Sequence, residues 1–152
     1  MIFVDSFIKK GGELINIKEI EEMADINELY YLEGAIVIKY YNKEIMGFKE
    51  WDLIVPLWSY FIDAIEEIIQ GKDTAGFMFP DQPVELILNS KKNKDGLLIT
   101  IGERTCLIEK SEFIKTLLSA GLDFFSYMEK YDASLINERI KIQKLKNNLS
   151  PY

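Results

Sequence analysis

Residues 51 to 70 read W-D-L-I-V-P-L-W-S-Y-F-I-D-A-I-E-E-I-I-Q, and the fold can be argued outward from this stretch. At about 100° per residue, Asp52, Ser59, Asp63, Glu66, Glu67 and Gln70 fall within roughly 100° of one another around a helix. Everything else in the run is apolar or amphipathic, apart from Pro56. A surface helix has the opposite balance, a narrow apolar stripe and a wide polar face. This helix is therefore expected to be covered on more than one side, by a sheet and by another helix. Asp52 is suited to be its N-cap. Pro56 then lies past the favoured first position, which predicts a kink or a start as late as Val55. Gly71 supplies the stop.

The chain has 152 residues, 48% of them hydrophobic and 28% charged, with a formal net charge of −7. That length reads as a single domain, 1–152, with a core large enough to need no metal or disulfide staple. Acids interrupt the longest apolar windows, so none reads as transmembrane, and M-I-F-V-D-S-F lacks the basic flank and cleavage site of a signal peptide. The single cysteine, Cys106, falls in a strand-like run and reads as a small buried hydrophobe, compatible with a reducing cytoplasm. Histidine is absent, which removes Ser-His-Asp and Cys-His nucleophilic sites, histidine-containing zinc sites and the usual base near neutral pH. Phosphate-loop, dinucleotide and nucleophile-elbow patterns are also missing. No catalytic, cofactor-binding or metal-binding residue is assigned, and the expectation is a protein that is not an enzyme. The negative charge opposes nucleic acids and anionic membranes and is compatible with a cationic partner.

Taken in order, two apolar runs flank Lys9-Lys10-Gly11-Gly12, which suggests a hairpin, with a short helix over residues 2–9 as the competing reading. Asn16-Ile17-Lys18-Glu19 matches the geometry of a capping box and predicts a two-turn helix through Met23 or Ala24. Three β-like runs come next, Leu29–Leu32, Ala35–Tyr41 and Glu44–Phe48. Beyond the central helix, Pro80-Asp81-Gln82-Pro83 forces a bend, and Val84–Leu88, Leu97–Ile101 and Thr105–Ile108 form a second meander around the basic loop Ser90–Gly96. Ser111 is suited to cap a second long helix, in which Gly121 suggests close approach of another element. A last helix over Leu135 to about Asn147 starts at Asp132 or Ser134 and carries an apolar seam of Leu135, Ile142, Leu145 and Leu149. The expected fold is α+β: an antiparallel meander sheet with two long helices packed on one face, plus a C-terminal helix. Residues 131–152 serve as a packing arm or, if the seam stays uncovered, as a homodimerisation arm.

The most lopsided charge lies between Glu13 and Glu33, where seven acids face one base, Lys18. Within it Glu19, Glu21, Glu22, Asp25 and Glu28, with the aromatic residues Tyr30 and Tyr31, form a candidate docking face for a basic protein; the bland alternative is a solvated face. Asp63, Glu66 and Glu67 read as the exposed strip of the main helix. Asp63 and Glu67 are also the pair that a carboxylate-based hydrolase would draw on, although one helix face is poor geometry for flanking a substrate. Trp51 and Trp58 are seven apart and read as core; an exposed one becomes an interface anchor. The loop Lys91-Lys92-Asn93-Lys94 lacks the aromatic interleaving of a nucleic-acid site.

The stretches Trp51–Tyr60 (W-D-L-I-V-P-L-W-S-Y) and Phe79–Pro83 (F-P-D-Q-P) resemble stretches of small uncharacterised proteins of low-GC Gram-positive bacteria. Similar small acidic α+β proteins include immunity proteins, which neutralise polymorphic toxins by binding them. The resemblance covers about residues 50 to 130 and transfers no catalytic residue. It implies a cytoplasmic, non-catalytic binding protein of the immunity or antitoxin type acting on a basic partner. The alternative is a homo-oligomeric structural or regulatory protein that dimerises through its C-terminal helix.

Overall fold

The computed structural model describes residues 1–20, 31–91 and 95–149. The chain opens with the hairpin rather than the competing helix: β1 (Ile2–Lys10) pairs antiparallel with β2 (Glu13–Asn16), Lys10 standing opposite Glu13. Gly11 and Gly12 take φ of 62° and 85°. A two-residue turn with both central residues at positive φ matches the twist of the strands, and glycine adopts it without a Cβ clash.

β3 (Glu33–Tyr40) lies on the other side of β1, with Ile2 opposite Tyr40 and Ile8 opposite Gly34. β4 (Lys43–Met46) and the two-residue β5 (Asp52–Leu53) both pair with β3. The first sheet thus runs β2-β1-β3-β4, with β5 beside β3. β6 (Thr74–Met78), β7 (Glu85–Lys91), β8 (Gly96–Ile101) and β9 (Arg104–Glu109) form a second antiparallel sheet in chain order. The fold is α+β, with its strands divided between two sheets where one meander sheet was expected. The N-terminal hairpin inserts β1 between β2 and β3, and the main helix separates β5 from β6, so the two meanders share no ladder.

That helix, α1 (Ile54–Ile69), has its core residues Ile54, Val55, Leu57, Trp58, Phe61, Ile62, Ala64, Ile65 and Ile68 all buried. It packs on β6, on β3 and on the two later helices, the multiple cover that its wide apolar surface requires. α2 (Lys110–Met128) lies across β1 and α1. A Cβ placed on Gly121 would meet the Trp58 ring at 3.1 Å and Ile62 Cδ1 at 3.2 Å, which is the close approach that a mid-helix glycine implies. α3 (Ile136–Asn147) folds back on α2 and α1. Leu135 and Ile142 are buried, and Leu145 and Leu149 pack on the core, so the seam is covered within its own chain.

The helix ends differ from their expected caps. α1 begins at Ile54, with Leu53 at the N-cap position, so Asp52 is not its cap. Pro56 is then the third helical residue, where the missing N–H interrupts nothing, because the first four N–H groups have no partner inside the helix. At the other end Gly71 takes φ 102°, its N–H donating to the Ile68 carbonyl and that of Lys72 to the Glu67 carbonyl, both at 3.1 Å. This is a Schellman stop. α2 begins one residue before Ser111, and Ser111 is itself capped: Asp95 Oδ1 accepts its N–H at 3.0 Å and its hydroxyl at 2.7 Å. Asp132 does start the last helical segment, accepting from the Ser134 N–H at 3.0 Å and leading through a 3₁₀ turn, Ala133–Leu135, into α3.

Asn16 Oδ1 accepts the Lys18 N–H at 3.0 Å, but the chain then makes only a 3₁₀ turn, Ile17–Glu19. Ile20 is already extended, so no two-turn helix runs through this point. Residues 21–24 lie outside the described residues, as do Leu29 and Tyr30 of the first expected strand and Lys92–Lys94 of the basic loop. Among the described residues no helix is long and apolar enough to cross a membrane.

Candidate docking site

The site is built around Asp52. Its carboxylate is completely buried at the point where β5 meets β3. Gly34 stands opposite it, and a Cβ there would lie 2.3 Å from the Phe7 carbonyl oxygen, so only glycine lets the strands come this close. The carboxylate accepts the N–H of Leu53 at 2.7 Å, of Asp81 at 3.0 Å and of Gln82 at 2.8 Å. Asp81 and Gln82 lie between two prolines, which have no N–H, in a bend closed by the Phe79 N–H donating to the Val84 carbonyl at 2.8 Å. The Gln82 side-chain amide in turn donates to the Trp51 carbonyl. The two stretches Trp51–Tyr60 and Phe79–Pro83 are therefore tied together by side-chain-to-backbone bonds.

This tie holds Trp51 outside the helix. The two tryptophans do not share a side: Trp58 is fully buried, its Nε1 donating to Ser6 Oγ at 2.9 Å with Phe124 stacked on the ring, whereas Trp51 is 41% exposed. Trp51 lines a small depression of 150 Å³ with Lys9, Gly12, Leu14 and Glu33, where Lys9 Nζ and Glu33 Oε2 pair at 3.2 Å. Tyr31, two residues before Glu33, is 70% exposed, and Glu13 is exposed at the hairpin turn. One end of the first sheet thus presents an exposed indole, a phenol, and two carboxylates set among Lys9 and Lys10.

Of the predicted docking residues, Tyr31 lies at this end. Glu19 is exposed but sits in the 3₁₀ turn after β2, beside Lys18, whose ammonium pairs with Asp5 at 3.3 Å. Glu21, Glu22, Asp25, Glu28 and Tyr30 fall outside the described residues. The point of departure of that segment is held by the Tyr127 hydroxyl, which donates to the Ile20 carbonyl at 3.2 Å. Burial, helped by the hydrogen bond with Tyr131, pushes the Tyr127 phenol up to about 12.

The acids of α1 are engaged elsewhere. Lys141 of α3 pairs with Asp63 and, at 3.6 Å, with Glu66, and Lys72 pairs with Glu67 at 2.7 Å. Burial lowers the Lys141 pKa, but the hydrogen bond and charge of Asp63, with Glu66 and Glu138 behind it, outweigh burial and leave it raised. Asp63 and Glu67 thus each hold a lysine rather than facing one another across a cleft. Among the described residues no three carboxylate or thiol groups converge on a position where a metal would sit. Cys106 is half-buried rather than a core residue, lining a 220 Å³ depression with Ile45, Ile99 and Arg104 between the edges of the two sheets.

Sequence reasoning missed the role of Asp52. The only local hint was the pair of N–H groups between Pro80 and Pro83, which names no acceptor. Comparison of the chain with protein families, curated proteins and solved structures finds no match in any of the three.

Proposed function

We propose that this chain is a non-catalytic cytoplasmic binding protein that neutralises or sequesters a basic protein, with a toxin–immunity pair as the leading form. The observation that carries the reading is Trp51, 41% exposed and stationed by the Asp52 tie beside the Lys9–Glu33 pair. An exposed tryptophan, with exposed Tyr31 at the same end of the sheet, is the side-chain chemistry of an interface anchor. The six-unit acid excess between Glu13 and Glu33 adds long-range attraction for a positively charged surface. Engagement of Asp63, Glu66 and Glu67 by lysines leaves the α1 strip less suited to this role, and packing of the Leu135–Leu149 seam within the chain supports a packing arm over a dimerising one.

The test pairs the full chain with the basic C-terminal domain of a secreted toxin encoded beside it, using association kinetics at low and high salt. Converting Glu21, Glu22, Asp25 and Glu28 to lysine should slow association and flatten its salt dependence, whereas Trp51→Ala should mainly speed dissociation. Binding unchanged in the charge-reversed chain at both salt concentrations would make the acidic stretch a solvated face. Binding unchanged by Trp51→Ala as well would overturn the site.

A further inference from the structure

We propose that the outer face of the first sheet is the contact surface between two copies of this chain, forming a reversible homodimer. The helices α1 and α2 pack on the inner face. On the other side the outward positions of β1 are Phe3, Asp5 and Phe7, and those of β3 are Val37 and Lys39, register partners that lie side by side; Ala35, opposite Phe7, is fully buried. Phe3 is 54% exposed, Phe48 47% and Tyr41 61%. Phe7 and Phe48 meet edge to face with centroids 4.9 Å apart. A solvated antiparallel face carries mainly polar residues outward; this one carries aromatic rings around a shallow depression of 340 Å³, where Phe3, Phe7, Val37 and Tyr41 are interleaved with Asp5, Lys39 and Asn42.

Charge selects the occupant. On a chain of net charge −7, this face is balanced: Asp5 pairs with Lys18 at 3.3 Å, and Lys39 stands opposite Glu44 across the β3–β4 ladder. A strongly basic or acidic partner finds no opposite field here, while two identical copies meet without the repulsion that opposes contact between their acidic surfaces. A neutral patch carrying both signs is also self-complementary under a two-fold axis, the commonest symmetry of homodimers. Face-to-face sheet packing about 10 Å apart would bury the rings of both copies. A patch of about three strands spaced about 4.8 Å apart falls short of the roughly 800 Å² per partner of a standard interface, so the dimer should be weak and concentration-dependent. The face shares no residue with the Trp51 depression, so the two surfaces can be tested separately.

The test is sedimentation equilibrium of the full chain from about 5 to 500 µM, the range set by an interface of this size. The expected result is a mass rising toward twice the monomer value, retained in 0.5 M salt because apolar contact drives it, and a monomer throughout for Phe3→Glu/Phe48→Glu. Both positions are exposed, so far-UV circular dichroism should be unchanged. Should the double variant fail to fold, Phe3→Ser alone is expected to raise Kd at least tenfold. A monomeric wild-type chain over the whole range would overturn the proposal and leave the face to another protein. Association abolished by salt would overturn it in favour of pairing between the basic last helix and the acidic remainder, and a dimer untouched by these substitutions would place the interface elsewhere.

Discussion

The carboxylate of Asp52 accepts the backbone N–H of Gln82 at 2.8 Å, joining positions 30 apart and fixing the bend between Pro80 and Pro83 against the start of α1. With the bonds to Asp81 and Leu53, one buried side chain satisfies three backbone donors. Asp52→Ala should cost about 1–3 kcal/mol, since three hydrogen bonds to a buried carboxylate are lost and part-buried N–H groups are left to water. Asp52→Asn, which keeps one acceptor oxygen, should cost less. Urea unfolding of the three proteins checks the order.

Gly121→Ala sets helix propensity against space. Alanine gains up to about 1 kcal/mol in a helix, but its methyl would press on Trp58 and Ile62 within 3.2 Å. Neither neighbour can swing away, because both are completely buried. Net destabilisation of about 1–2 kcal/mol is expected from overpacking. Ile62→Val removes the Cδ1 methyl in question, so the double variant should lose less than the sum of the two single losses, as a double-mutant cycle would show.

Glu50, 6% exposed, pairs with Arg104 at the start of β9 and so links the two sheets. Removing only the cation leaves a buried carboxylate without its counter-charge. Arg104→Met is therefore expected to lower stability by about 1–3 kcal/mol, and adding Glu50→Gln should restore part of the loss. Equal stability of the single and double variants in urea would contradict this role for the pair.

Lys141 gives a pH signature. Its pKa is raised in the folded chain, so the folded state holds the proton more tightly than the unfolded state. The resulting stabilisation is fully present below the ordinary lysine value of 10.5 and fades as pH rises through the folded value. The stability gap between the wild-type chain and Lys141→Met should accordingly be larger at pH 8 than above pH 11, in parallel urea titrations.

Local signals in the chain are legible. Gly11-Gly12 marks a turn that needs two positive φ values, Gly71 a helix stop, and Gly121 a close crossing, because each depends on a property of one residue. The apolar surface of residues 54–69 announces a helix covered on several sides. Relationships between distant segments stay hidden. Nothing in the local pattern says that Asp52 serves a bend at Asp81 and Gln82, or that Asp95 caps the helix containing Ser111. Sequence neighbours suggest a local partner for Asp52 and a capping role for Ser111, whereas the acid serves a remote bend and the serine receives a cap. Insertion of β1 between β2 and β3 is a choice among pairings that alternation alone does not rank. At the docking end, Tyr31 is legible as an aromatic residue beside acids. Trp51 is not, because its spacing from Trp58 has meaning only if the helix already includes it, and the helix starts three residues later.

The unequal burial of the chain's two tryptophans gives it a built-in pair of optical reporters. Trp58 is sealed between Phe61 and Phe124, where a dissolved quencher has no access, while Trp51 stands 41% open to water. Fluorescence of the untouched chain therefore divides into a component that iodide or acrylamide extinguishes and one that it spares. A molecule seated on the Trp51 end would shield the first and leave the second unchanged, whereas unfolding would surrender both to the quencher.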